Sequence, residues 1–205
     1  MKQIAGQLVL WSTLVSSVSC LPAASQGTSR IVRENSGPDS AKRTRVALAS
    51  NSGPPGSVVI IPIYFTPAAG VEVGRLKLTV NFVSASVEFG KLERGIAAQV
   101  PDLEFRSEIQ FGKNEKGLET STLTVVAGFS SPEPPKKGIP GGILGYLNLR
   151  IIEQAPAALI SLRTTAEGAE LGSNKPLTDI ESPAAQLEIA WVDAPPNVTC
   201  FFFAH

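Results

Sequence analysis

The chain has 205 residues, enough for one domain of ordinary size plus targeting or linker segments. Its 18 basic and 18 acidic residues cancel, which excludes a global field that would gather nucleic acid or an anionic membrane. With 18 glycines and 16 prolines the chain must turn often, yet this stays below the level that marks a disordered sequence.

The N-terminus has the plan of a secretory signal. Lys2 is followed by the apolar run "LVLWSTLVSSV" (8–18) and then by small residues, with cleavage expected after Ser25, so that 1–25 is removed. The apolar run is shorter than the roughly 20 residues a membrane-spanning helix needs, and no later segment supplies them. The chain is therefore expected to be exported, to a secreted, periplasmic or cell-surface location. Cys20 carries an alternative, lipid attachment and a membrane-anchored product. If Cys20 is removed, Cys200 is left alone and no disulfide forms within the chain, so the fold must stand on its core.

Residues 26–43 are polar and aperiodic and serve as a flexible linker. From Thr44 to Asp193 the pattern has a period near two. "TRVALAS" (44–50) is the first expected strand, "NSGPPG" (51–56) a turn, and "SVVIIPIYFT" (57–66) a second strand. Pro62, which cannot donate to a ladder, suggests an edge strand or a bulge there. In the next strand Leu76, Leu78, Val80 and Phe82 alternate with Lys77, Thr79 and Asn81, the signature of one buried and one solvated face. Further strands are expected in 86–95, 103–112, 121–130, 143–153, 158–168 and 186–193. About nine short strands between Gly/Pro turns, with no amphipathic helix, indicate an all-β jelly-roll sandwich.

The sequence offers no catalytic constellation. Its one histidine, His205, ends the chain, where a triad imidazole has nothing to hold it. No His/Cys set has zinc spacing, and the Gly-rich stretch 136–145 lacks the Gly-Lys-Ser/Thr of a phosphate loop. Asp102 and Glu104 could join a loop calcium site only with further ligands, and the simpler account is solvated carboxylates. Glu88, Glu93, Glu104 and Glu108 alternate with apolar residues as any outward strand face does, so an acid/base pair for glycoside hydrolysis is not indicated. No cofactor is expected.

Three stretches resemble the cohesin domains, which share a sandwich fold with cellulose-binding modules. "GPPGSVVIIPIYF" (53–65) is similar to the family's Gly-x-x-Val-x-Val-Pro-Val opening. "GRLKLTVNFVSASVEFGKLERG" (74–95) is similar to its long alternating strand, short turn and closing Gly, and "GGILGYLNLRII" (141–152) to a strand near its end. The resemblance covers roughly 44–193. It implies a non-catalytic recognition module that grips a protein partner, in the cellulosomal members a dockerin, through a sheet face. The matching positions are Arg75, Lys77, Thr79 and Asn81, more basic than the familiar pattern, while Phe82, Val83 and Ser84 replace an aromatic-Asp-Pro.

Two other functions stay open. Polysaccharide binding needs coplanar exposed rings, whereas Trp191 shares the parity of Leu187 and Ile189 and is expected in the core, and the parity of Tyr146 is ambiguous. A cell-surface structural or assembly role would use the apolar tail of 194–205, either as an added strand or in a dimer joined through Cys200.

Overall fold

A computed structural model of the protein describes residues 43–129, 135–173 and 175–191. The expected signal peptide, Cys20, most of the linker and the tail from 192 onward lie outside the described residues. The described chain is a sandwich of two sheets. Its ten strands are β1 (Arg45–Leu48), β2 (Asn51–Gly53), β3 (Val58–Thr66), β4 (Val73–Val83), β5 (Val87–Arg94), β6 (Leu103–Lys113), β7 (Glu119–Phe129), β8 (Gly142–Ile151), β9 (Ala158–Glu170) and β10 (Ala185–Ile189).

One sheet has four strands in the order β1-β3-β8-β5, the other six in the order β2-β10-β9-β4-β7-β6. Every named pairing is antiparallel except β10 with β2, which is parallel. Alternation puts Val59, Ile61, Ile63 and Phe65 of β3 and Leu76, Leu78, Val80 and Phe82 of β4 into one continuous core, the two strands lying in opposite sheets. Burying an aliphatic or aromatic side chain of this size stabilises by about 1.5–3 kcal/mol.

Three expectations need correction. The turn region 51–56 contains the short strand β2, which raises the count to ten among the described residues. Two residues of a three-residue strand are exposed, so no alternation marks it. For Pro62 only the edge-strand alternative fails, because β3 runs between β1 and β8, while the bulge alternative agrees with the irregular register of β3 on β8 between Ile63 and Tyr64. In an antiparallel strand the N and O of one residue point to the same neighbour. The Pro62 carbonyl accepts from Ala49 N–H (3.0 Å), one residue past the last β1 pair, Leu48 with Ile63. The missing donor therefore falls where β1 has already ended, and the register shift at Ile63/Tyr64 follows directly. Trp191 is not core but 60% exposed. Strand β10 stops at Ile189, and beyond it parity no longer decides where a side chain points.

Candidate functional site

Strand β4 lies third from one edge of the six-stranded sheet, with β9 on one side and β7 on the other. Its inward residues are buried, and its outward set is Arg75, Lys77, Thr79 and Asn81, of which Thr79 is half-buried and the rest exposed. All four expected site residues thus share one face. The ladders set their neighbours. Asn81 stands between Arg163 of β9 and Thr122 of β7, Thr79 between Thr165 and Thr124, Lys77 between Glu167 and Val126, and Arg75 between Ala169 and Gly128. Strand β6 adds Glu104, Arg106 and Glu108 beyond Gly128, Val126 and Thr124.

This arrangement makes a low platform with charges around it. The row Thr165–Thr79–Thr124 sets three β-branched hydroxyl residues side by side at its centre. Thr122 Oγ1 donates to Asn81 Oδ1 at 2.7 Å, tying the Asn81 side chain to β7. Lys77 Nζ meets Glu167 Oε2 at 3.4 Å. Both side chains are exposed, and such a pair contributes about 0–1 kcal/mol, so it can be exchanged for a partner's carboxylate at small cost.

At the Asn81 end the face sinks into a depression of about 600 Å³ lined by Asn81, Val83, Thr120, Leu159, Ser161 and Arg163 among others. Leu159 is 61% exposed there. Sequence reasoning singled out neither Leu159 nor Arg163. The signal was in "ALISLRTT": Ile160 and Leu162 take the inward parity, so Leu159 is an apolar residue on the polar one. That β9 lies beside β4 at all is a pairing, which no local pattern specifies.

Glu88 and Glu93 belong to β5 in the four-stranded sheet, whereas Glu104 and Glu108 belong to β6 in the other, and all four are exposed. Asp102 adopts a left-handed turn conformation (φ 61°), and among the described residues no group of three or more His, Cys, Asp or Glu could hold a metal ion.

No protein-family profile matches the sequence, and no curated protein does. Solved structures do match. The sixth cohesin of scaffoldin B from Acetivibrio cellulolyticus, solved in complex with a Cel5 dockerin, is similar at a TM-score of 0.57 and 14% identity over 73% of this chain and 100% of that one. A type I cohesin from Pseudobacteroides cellulosolvens reaches 0.56 at 15% identity, covering 78% of this chain and 99% of its own. A non-cellulosomal cohesin from the archaeon Archaeoglobus fulgidus reaches 0.50 at 17% identity, over 73% and 92%. The protein has a cohesin-like fold.

Proposed function

We propose that the protein is an exported, non-catalytic recognition module that binds a protein partner through the outward face of its six-stranded sheet, with Arg75, Lys77, Thr79 and Asn81 at the centre and Leu159 as an apolar anchor. The observation that carries this reading is the platform itself, where a row of three threonines, exposed charges and one exposed leucine in a depression lie within four adjacent strands. Protein interfaces combine these parts: a small apolar centre, a polar rim and few anchors. Solved neighbours of this fold have been captured with dockerins, and the partner of this chain is a domain of that kind, presenting carboxylates to Arg75, Lys77 and Arg163. The N-terminal signal supplies export, and among the described residues no helix is long and apolar enough to cross a membrane.

A second reading, polysaccharide binding, gains from the exposure of Trp191. One experiment separates the two. The purified chain is used as bait in an extracytoplasmic extract, beside a variant carrying Arg75→Ala, Lys77→Ala and Asn81→Ala. A protein retained by the first and lost by the second is expected. Retention by both baits alike would discard this face, and quenching of Trp191 fluorescence by soluble polysaccharide, with no protein retained, would replace the proposal with the second reading.

A further inference from the structure

Among the described residues, three of the four sheet edges are blunted and one is not. Strands β2 and β1 have only three and four residues, and β1 is further covered where Val46 N–H donates to the Glu181 carbonyl at 2.9 Å. Strand β5 has eight residues and breaks its register between Phe89 and Lys91. Strand β6 closes the six-stranded sheet with eleven residues, no proline and an unbroken register against β7 from Leu103 to Lys113. A long regular edge of this kind is a template for another strand, which short strands, bulges and covering segments otherwise prevent.

The hairpin of β6 and β7 fixes which backbone groups that edge offers. Asn114 N–H donates to the Leu118 carbonyl at 3.0 Å, continuing the register that pairs Lys113 with Glu119. Alternate residues of an antiparallel strand bond to alternate sides. The even-numbered residues of β6 therefore bond to β7, and Phe105, Ser107, Ile109 and Phe111 direct their N–H and C=O to the free edge. Leu103, in the same phase, already donates to the Val100 carbonyl at 3.3 Å. Phe111 is 78% exposed and Ser107 is exposed, although both share the parity of buried Leu103, so the four-stranded sheet does not close over this half of β6. On the outward parity, Arg106 has no ion-pair partner among the described residues.

We infer that β6 pairs antiparallel with β6 of a second copy of this chain, about a two-fold axis through Ser107. The strand is complementary to itself in that register. With Ser107 opposite its counterpart, Phe105 stands opposite Ile109, Leu103 opposite Phe111 and, on the outward side, Arg106 opposite Glu108 twice over. The hydrogen-bonded pairs are then the odd-numbered residues, whose backbone groups are the free ones. Moving the axis to Arg106 or to Glu108 sets that residue against its own counterpart, a like-charge contact that destabilises a sheet. A closed two-fold contact uses one self-complementary patch on both copies, and adding strand to strand is a recurring mode of recognition. The axis is normal to the sheet, so the outward faces of the two copies lie on the same side of one continuous sheet. The free edge belongs to the fold whatever the β4 face binds, so failure of the docking proposal leaves the dimer standing, and the reverse.

Sedimentation equilibrium of the full chain over a range of concentrations, with no other protein present, is the test. The parent should dimerise. Arg106→Glu and Glu108→Arg should each weaken the dimer about ten-fold or more, since each turns two attractive cross-strand pairs into repulsive ones. Mixed in equal amounts, the two variants should associate with parental affinity, and the chain carrying both substitutions should dimerise like the parent. Ser107→Pro removes an N–H of the free edge only and should abolish association with the far-ultraviolet circular dichroism unchanged; the exposed charge variants decide the matter even if this one fails to fold. A dimer that ignores both charge variants, or a mixture of the two that fails to associate, would overturn the inference. So would a parent that is monomeric at every concentration, which would leave the edge to a strand from another protein.

Discussion

Lys91 and Glu93 show how little an exposed pair on β5 contributes and how it can still be measured. The Lys91 ammonium, through a hydrogen bond and its charge, holds the Glu93 carboxyl below the usual carboxylate range; slight desolvation opposes this and the Asn148 amide adds to it. Because the folded value is depressed, the pair stabilises above the ordinary carboxylate pKa, and that contribution is lost as pH falls through the folded value. Both groups face solvent, so the effect on overall stability is small. In Lys91→Ala the Glu93 carboxyl should titrate closer to its ordinary value when followed by NMR. An unchanged midpoint would show that Asn148, not Lys91, sets it. The same local logic explains why Trp191 was misplaced: alternation predicts burial only while the backbone remains a strand, and β10 ends two residues earlier.

Among the elements, β5 and β8 depend on a close backbone approach that sequence alone does not announce. Gly95 N–H donates to the Leu144 carbonyl at 3.0 Å, and a Cβ on Gly95 would stand 2.2 Å from the Ile143 carbonyl oxygen. Its backbone is extended (φ −86°, ψ 175°), so the constraint is space, not conformation. Gly95→Ala should therefore destabilise by about 1–3 kcal/mol, the usual cost of forcing backbone apart, read as a lower midpoint in urea denaturation. A midpoint within error of the parent would mean that the 95–98 turn shifts freely. Strands β4 and β3 were legible because alternation is a local property with a period of two. Strand β2 was not, since its order comes from pairing with β10, more than a hundred residues further along the chain.

For the whole molecule, one core joins the two sheets, so they should unfold together. Leu78 of β4 and Leu147 of β8 are fully buried from opposite sides. Replacing either by Ala should cost about 2–5 kcal/mol and lower a single shared transition. Two transitions, seen as a mismatch between Trp191 fluorescence and far-ultraviolet circular dichroism, would show that the sheets melt separately.

By itself the sequence determined the class of protein. Alternating apolar residues between Gly/Pro turns specify strands with one buried side. It also put Arg75, Lys77, Thr79 and Asn81 on one face, because residues two apart on a strand share a side. Only the tertiary structure decided what surrounds them. Thr124, Thr165, Leu159 and Arg163 reach that face through strand pairings across some 40 to 90 residues, and β6 was recognisable as a free edge only once the strands were ordered. Parity tells which side chains point the same way; the energy of burying one side against another sheet decides which side that is, and it is not written in any short stretch of chain.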